Sequence, residues 1–518
     1  RGIVRKKVIK FLSPIRKWLF GTLIMTVVLA SATFLYFRSQ IDHDLGANTE
    51  VVDSSQFQVI SGNLAITDVS VLSVDSQTMI PNQIVLIKDN TIESISPEVV
   101  VPDEYHVIDG KGQFLIPGLV DSHVHVKKSK NDLLLYIANG VTQIGEMTGM
   151  EHHFEYLEQI KQGAIGPHIF IASPKLTSQQ GMKPFLRSRF EKRHQNFLNL
   201  LEAREAVRNF KSVGYDAIKL SSDLDEDIYF AINDEAKKLN IPVIGHLPVG
   251  LQLSDLYLSG QSQLSHIDSI IQNLINEFGG LSSKNSEDFL THVKQHAEQI
   301  AVKFKQNNIA LASTVWLHRT RSNQDFDLTG FLKSIEFEFQ NPGWIEGSIV
   351  SGGCLPGGNS YENQNNTKAD DLRSWDIYYR AYNESIEIMT RALVDQGVTL
   401  TAGTDALGAC GMIAGFSLHD ELETLNKIGL TNAQVLHAAT LAPSKWMGSN
   451  SGKIEPGYRA DLVLLKKNPL EDIRYTRSIN AVIANGKYLN RTQLDHILES
   501  VKDANNTSRK VNIDAYLN

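Results

Sequence analysis

Leu115-Ile116-Pro117-Gly118-Leu119-Val120-Asp121-Ser122-His123-Val124-His125 decides how the rest of the chain is read. An apolar run passes through a Pro-Gly turn and closes on two histidines one residue apart. In an extended strand, side chains at i and i+2 share a face, so His123 and His125 can reach one point in space. Imidazoles placed this way suit a divalent transition metal such as zinc. A half-buried strand with two polar residues has the same pattern, so the pair gains weight only from further ligands elsewhere in the chain.

Downstream, apolar runs alternate with amphipathic stretches. Strands are expected at 118–126, 141–147, 167–172, 217–220, 241–246, 263–266, 309–313 and 398–404, with helices such as 200–210 and 227–239 between them. This alternation predicts an α/β fold, a (β/α)8 TIM barrel over 118–447, whose chemistry gathers where the strands end. Most of the expected strand ends that carry a polar residue carry one that can serve a metal. The first gives His123 and His125, the fourth Lys219, the fifth His246, the sixth His266 and the eighth Asp405. Any one of them is compatible with a satisfied core residue; six at the same end of different strands point to a metal centre. Lys219 sits in the apolar run Ala217-Ile218-Lys219-Leu220. A desolvated lysine loses its proton readily, and its free amine adds carbon dioxide to give a carbamate anion that can bridge two metals. A salt bridge to Asp405 is the plainer alternative.

These residues resemble the amidohydrolase superfamily, binuclear-metal type, in its imidazolonepropionase-like and prolidase-like group. The resemblance spans about 58–490. It rests on the 116–125 motif, Gly140-Val141-Thr142, Lys219, Gly245-His246, Ser265-His266 and Ala402-Gly403-Thr404-Asp405, then Ala439-Thr440, Pro443 and the closing 452–465 stretch. It implies two divalent metal ions, zinc by preference. His123, His125 and Asp405 would hold one and His246 and His266 the other, with carboxylated Lys219 and a hydroxide bridging them. It further implies hydroxide attack on the carbonyl of an amide, with Asp405 as general base and then acid, assisted by His246 and Lys219. Two departures stand out: Gly145-Glu146-Met147 replaces the Arg-Asp-Met of many relatives, and the stretch after strand seven is unusually long.

The flanks have their own logic. Short strands within 57–117 and 448–490 are each too small to bury much alone, which predicts one composite β-sandwich built from both ends. Residues 18–37 carry no charge over a length that spans a bilayer core of about 30 Å. Seven basic residues and no acid precede them in 1–17, so the net charge of −8 becomes −15 for the remainder. The positive-inside rule then predicts a transmembrane signal anchor with the catalytic part outside the cytoplasm, periplasmic or extracellular. Cleavage at Ala30-Ser31-Ala32 is the competing reading. Residues 38–56 read as a polar linker and 491–518 as a C-terminal tail.

An acidic body argues against nucleic acid, leaving a small molecule and the membrane as expected partners and a homo-oligomer open. Cys354 and Cys410 either pair or stay free. The polar segment 315–375 is too long for an ordinary connection and is expected to be a lid, with Trp316, His318, Arg319, Arg321 and Trp375 against the substrate. Lys175 and Tyr215 are weaker candidates. His292 and His296, four apart on a charged helix, fit a solvated face; His152, His153 and His419 fall near loops. No G-x-S-x-G, P-loop or dinucleotide motif occurs in the sequence. Beside the amidohydrolase reading, the residues admit an Xaa-Pro-type dipeptidase, a phosphotriesterase-like hydrolase and a non-catalytic binding protein on the same scaffold.

Overall fold

The computed structural model describes residues 2–181, 193–349, 351–362 and 369–517. It begins with one continuous helix, Gly2–Asp44, whose apolar side chains from Trp18 to Phe37 stand exposed. Among the described residues it is the one helix long and apolar enough to cross a membrane. The linker expected at 38–56 is not a free tether. The helix runs through it to Asp44, and Asp44, Leu45, Thr49 and the adjoining Phe57 are buried against the body.

Strands from the two ends of the chain join in one nine-stranded sheet. Phe114–Pro117 pairs antiparallel with Leu462–Leu465, Ile116 opposite Val463, and parallel with Leu64–Leu72, Val71 opposite Leu115. At one edge Ile60–Ser61 pairs with Lys487–Asn490. Ile66, Val71, Ile87 and Leu115 share a core with Leu462, Leu464 and Ile483. Alternation puts every second residue of such strands inward, so neither end completes this core without the other. The 491–518 tail is instead mostly the helix Arg491–Ser508, which packs Leu494, Ile497 and Val501 inward and lies on the helix Asn131–Ala138.

The central region is a mixed α/β body of parallel strands. Leu119–Val124, Val141–Glu146 and His168–Ile171 form a three-stranded sheet. A seven-stranded sheet runs His194–Asn196, Lys175–Thr177, Ile218–Leu220, Val243–Gly245, Gln263–Ser265, Ala310–Ala312 and Leu400–Thr401. Single parallel bridges join the two sheets on both sides, Ala172 to Ala217 and Val124 to Ala406. The strand expected to end at 404 is shorter in the structure, because its last residues leave the ladder to form the site. The strands at 175–177 and 194–196 are additional to those expected.

Helices cover this body for legible reasons. Leu200–Val213 starts where Asn199 accepts the Glu202 N–H, buries Ala203, Val207 and Phe210 on one stripe, and stops at left-handed Gly214. The segment after Ala310–Ala312 is mostly short helices: Val315–Arg319, Arg321–Phe326, Leu328–Lys333 and Pro342–Glu346. It continues into the long helix Ala369–Asp395. Cys354 in this insertion and Cys410 in the loop after Asp405 form a disulfide, which answers the open question of their pairing. The sequon Asn365-Asn366-Thr367 lies outside the described residues.

Candidate metal centre

The ends of strands one and eight are stitched together by backbone. Asp405 N–H donates to the His123 carbonyl at 2.8 Å, and His125 N–H to the Ala406 carbonyl at 2.9 Å. Asp121 locks the pair from beneath, accepting the Thr404 hydroxyl at 2.6 Å and the Thr404 N–H at 3.1 Å. This approach explains Gly403: a Cβ there would sit 2.8 Å from the His123 Cβ. His266, Thr314 and Asp405 all hold positive φ, 68°, 50° and 59°. Such conformations cost on the order of 1–3 kcal/mol each and cluster at functional sites.

Six predicted residues converge. Asp405 Oδ1 lies 2.9 Å from His125 Nε2 and 3.4 Å from His123 Nε2. Lys219 Nζ is 3.4 Å from His123 Nε2 and 3.2 Å from Ser265 Oγ, so its partners are these rather than Asp405. The His266 ring lies 4.5 Å from that of His123 and 5.0 Å from that of His246. Ligand atoms of His123, His266 and Asp405 fall within 4.8 Å of one another.

Two buried carboxylates hold the histidines in place, and the sequence marks neither for that role. Glu146 accepts the N–H groups of Val126 (2.5 Å) and Thr148 (2.7 Å) and the Thr148 hydroxyl (3.1 Å). Thr148 Oγ in turn lies 2.9 Å from His125 Nδ1. Glu421 accepts the Ser313 hydroxyl (2.6 Å) and the N–H groups of Val315 (3.0 Å) and Trp316 (2.6 Å). In that loop Thr314 Oγ lies 2.9 Å from His266 Nδ1. Because the Thr148 hydroxyl donates to Glu146, it accepts from His125 Nδ1–H, which leaves Nε2 as a lone pair facing Asp405. His125 Nε2 and Asp405 Oδ1, 2.9 Å apart, are placed to be two ligands of one cation.

Orphaned atoms agree with this. Asp405 Oδ1 and His123 Nδ1 are buried without a hydrogen-bond partner, a state that costs about 1–3 kcal/mol per group when nothing else occupies it. Imidazole and carboxylate donors in this arrangement fit a transition metal. Burial, then the charge of Lys219, holds His123 well below the usual imidazole range; burial, then Lys175, does so for His246. Burial brings His266 down to about 4 and lowers His125, against the pull of Asp405. Burial and then Lys175 hold Lys219 well below the usual ammonium range. Burial acts to raise Asp405, but the adjacent His125 and then His266 hold it below the usual carboxylate range.

A cavity of about 1070 Å³ opens beside the cluster, walled by His318, Arg321, Tyr361, Trp375, Tyr378 and Tyr382 among others. The His318 ring is 6.1 Å from that of His266, and Arg321 lies 4.0 Å over the Tyr361 ring. Trp316 and Arg319 lie outside this lining. Trp316 packs on Phe331, and Arg319 pairs with Glu387 of the long helix. Tyr215 is buried between Phe154 and Phe210. His419 is held by Thr476 and the Asn139 carbonyl, and His153 by Val126 and Met150. His292 and His296 stack on each other along Ser286–Gln306, away from the centre.

Known proteins of the same build point in the same direction. The model of the amidohydrolase family matches residues 114–489. A 5'-deoxyadenosine deaminase of Methanosphaera stadtmanae is 23% identical over 459 residues, 82% of this chain and 93% of the relative. Among solved structures, a bottromycin amidohydrolase is similar with a TM-score of 0.65 and 21% identity, over 86% of this chain and 90% of its own. A putative prolidase from Bifidobacterium longum gives 0.60 and 21%, over 85% and 99%.

Proposed function

The chain belongs to the amidohydrolase family, and from that premise we propose that it is a metal-dependent hydrolase of carbon–nitrogen bonds in non-peptide amides, cyclic ones among them. The observation that carries this reading is the convergence of His123, His125, Lys219, His246, His266 and Asp405, with Asp405 Oδ1 and His123 Nδ1 unpartnered. The two parallel sheets, bridged on both sides, read as one eight-stranded barrel to which the short strands at 175–177 and 194–196 are added. The nine-stranded sheet reads as the composite β domain beside it.

His123, His125 and Asp405 would hold one divalent cation and His246 and His266 a second, with Lys219 as a carbamate between them; zinc suits these donors. When bound, such ions supply Lewis acidity, bringing the pKa of water towards neutrality and polarising a carbonyl oxygen. Asp405 carries the proton from the attacking water to the departing nitrogen, general acid–base work typically worth about 10²–10⁴-fold. Burial holds Lys219 well below the usual ammonium range, which favours the free amine that carbamate formation needs, and Ser265 Oγ steadies Nζ. His318 and Arg321 present cationic or hydrogen-bonding groups to the substrate from the cavity wall, suited to a carboxylate or other polar substituent. The helix at 18–37 anchors the protein, with the catalytic part outside the cytoplasm; the disulfide suits an oxidising compartment.

Elemental analysis of the purified protein, paired with Lys219→Ala, tests this. The variant is expected to lose metal and to recover activity with small added carboxylic acids; full metal retention would remove Lys219 from the centre. A second reading, an Xaa-Pro-type dipeptidase, draws on the likeness to the prolidase structure. Xaa-Pro dipeptides assayed against lactams and hydantoins separate the two.

A further inference from the structure

The apolar N-terminal helix does not merely precede the catalytic body; it is clamped to one particular face of it. Asp42 pairs with Lys128, His43 Nε2 lies 3.1 Å from Glu346 Oε2, and Asp44 Oδ2 accepts Ser348 Oγ (2.8 Å) and Ser351 Oγ (2.7 Å). The Lys128 N–H donates to the Leu45 carbonyl at 2.8 Å. Gly343 comes so near the His43 carbonyl oxygen that no Cβ would fit between them. Lys127 Nζ sits 2.8 Å over the Trp344 ring beneath this joint. Lys127 and Lys128 belong to the loop that leaves strand one just after His125, and Glu346 to Ser351 to the insertion after strand seven. Both are at the end where the strands finish, the end that holds the metal centre.

The helix continues without a break from its apolar stretch into this clamp. From Phe37 to Asp42 is five residues, about 8 Å at 1.5 Å per residue. The catalytic end is therefore within about 10 Å of wherever the apolar stretch meets lipid headgroups. Apolar side chains are exposed past the strand ends at the same end: Leu198 and, at the start of the helix Leu200–Val213, Leu201; Val249 after Val243–Gly245; and Phe326, Ile349 and Trp375 in the insertion and its helices. Val249 is 83% exposed and Leu201 73%. Exposed apolar residues scattered singly need no explanation, and Val100 and Leu258 are as exposed elsewhere, so the weight here falls on the apolar helix that leaves this face.

We propose that this end of the body rests on the bilayer that the helix spans, with Leu201 and Val249 reaching the headgroup boundary. The occupant is lipid, because the element that leaves this face is the apolar helix itself. Substrate then reaches the cavity along the membrane surface. The proposal rests on the anchoring reading of 18–37 and is independent of which bond is cleaved.

Spin labels on single-cysteine additions to the full chain in phosphatidylcholine vesicles test it; Cys354 and Cys410 are paired and do not compete for label. V249C and L201C report the proposed face. L258C and V213C, exposed near the ends of helices that run away from it, report the opposite end. V28C reports the helix. Labels at 249 and 201 are expected to be accessible to oxygen over a water-soluble nickel chelate, as at 28, with the reverse at 258 and 213. Lipid exposure at 28 with aqueous exposure at 249 and 201 would overturn the docking alone. Aqueous exposure at 28 would overturn the anchor and the docking together. Strong dipolar coupling between copies at 249 or 201 would replace lipid by a second chain and overturn the proposal.

Discussion

The two halves of the metal centre are built alike from unlike material. On one side Glu146 clamps two backbone N–H groups and Thr148, and Thr148 holds His125 Nδ1. On the other Glu421 clamps two N–H groups and Ser313, and the intervening Thr314 holds His266 Nδ1. The first arm is local, drawn from strands one and two. The second borrows its carboxylate from the helix Phe416–Lys427, beyond strand eight, and holds His266 and Thr314 in left-handed backbone. Where neighbouring strands pair directly, a strand residue suffices; where the chain turns sharply, a remote helix supplies the carboxyl group. Fixing Nδ1 is what leaves Nε2 free for a metal, and this is the common product of both arms.

Asp405 is where the arms meet, so its removal is expected to have the largest effect. Asp405→Asn should lower kcat by about 10²–10⁴-fold at full metal occupancy; near-normal turnover would take it out of the proton path. Next come the clamps. Glu146→Ala and Glu421→Ala each strand two buried N–H groups, at about 1–3 kcal/mol apiece. Both variants should therefore lose about 2–6 kcal/mol in denaturant titrations of metal-free protein, and a loss in only one would break the equivalence of the arms.

Thr148→Val and Thr314→Val should weaken metal affinity by about 10–100-fold, read by competition with a chromophoric chelator, with Ser at either position restoring most of it. A metal affinity unmoved by either valine would show that the ring is oriented by packing alone.

The gentlest test is pH. Burial pushes Glu146 up to about 8 and Glu421 up to about 7 from an ordinary 4.5. Between those values the unfolded chain has lost the proton that the folded chain keeps. The contribution of these two groups to stability should therefore fall as pH rises from about 4.5, by at most about 1.4 kcal/mol per unit per group, and level off above about 7 and about 8. Glu421→Gln should remove one group's share of the fall that ends near 7, to which Asp121, Asp132 and Asp420 also contribute, and Glu146→Gln the fall that ends near 8, in melting curves of metal-free protein.

The six residues that converge are legible in the sequence and their supports are not. His123, His125, Lys219, His246, His266 and Asp405 each close an apolar run, and a polar residue in that position is conspicuous. Glu421 sits in a charged helical stretch two residues from His419, which is the more conspicuous of the two. At 100° per residue they point to different sides of the helix, and His419 spends itself on Thr476 and Asn139. Glu146 is visible as a departure from the family pattern, but its work depends on N–H groups that no pattern marks. Thr148 and Thr314 do share a signal, a threonine just past a strand end. Among the cavity candidates, His318 and Arg321 face it while Trp316 and Arg319 turn to Phe331 and Glu387. Irregular short helices give no periodicity from which to read a direction. At the ends, strand pairing across the whole length is readable from composition, whereas the docking of 38–56 is not, because its contacts are polar and specific.

The Cys354–Cys410 bridge closes a ring of chain 56 residues around. That ring contains the long helix, the last parallel strand and Asp405. A single peptide cut inside it would leave two fragments still covalently joined, so the nicked protein would run as one species until reduced. The Asp405 carboxylate would stay fastened to the insertion that walls the cavity, whatever a passing protease had done to the chain between them.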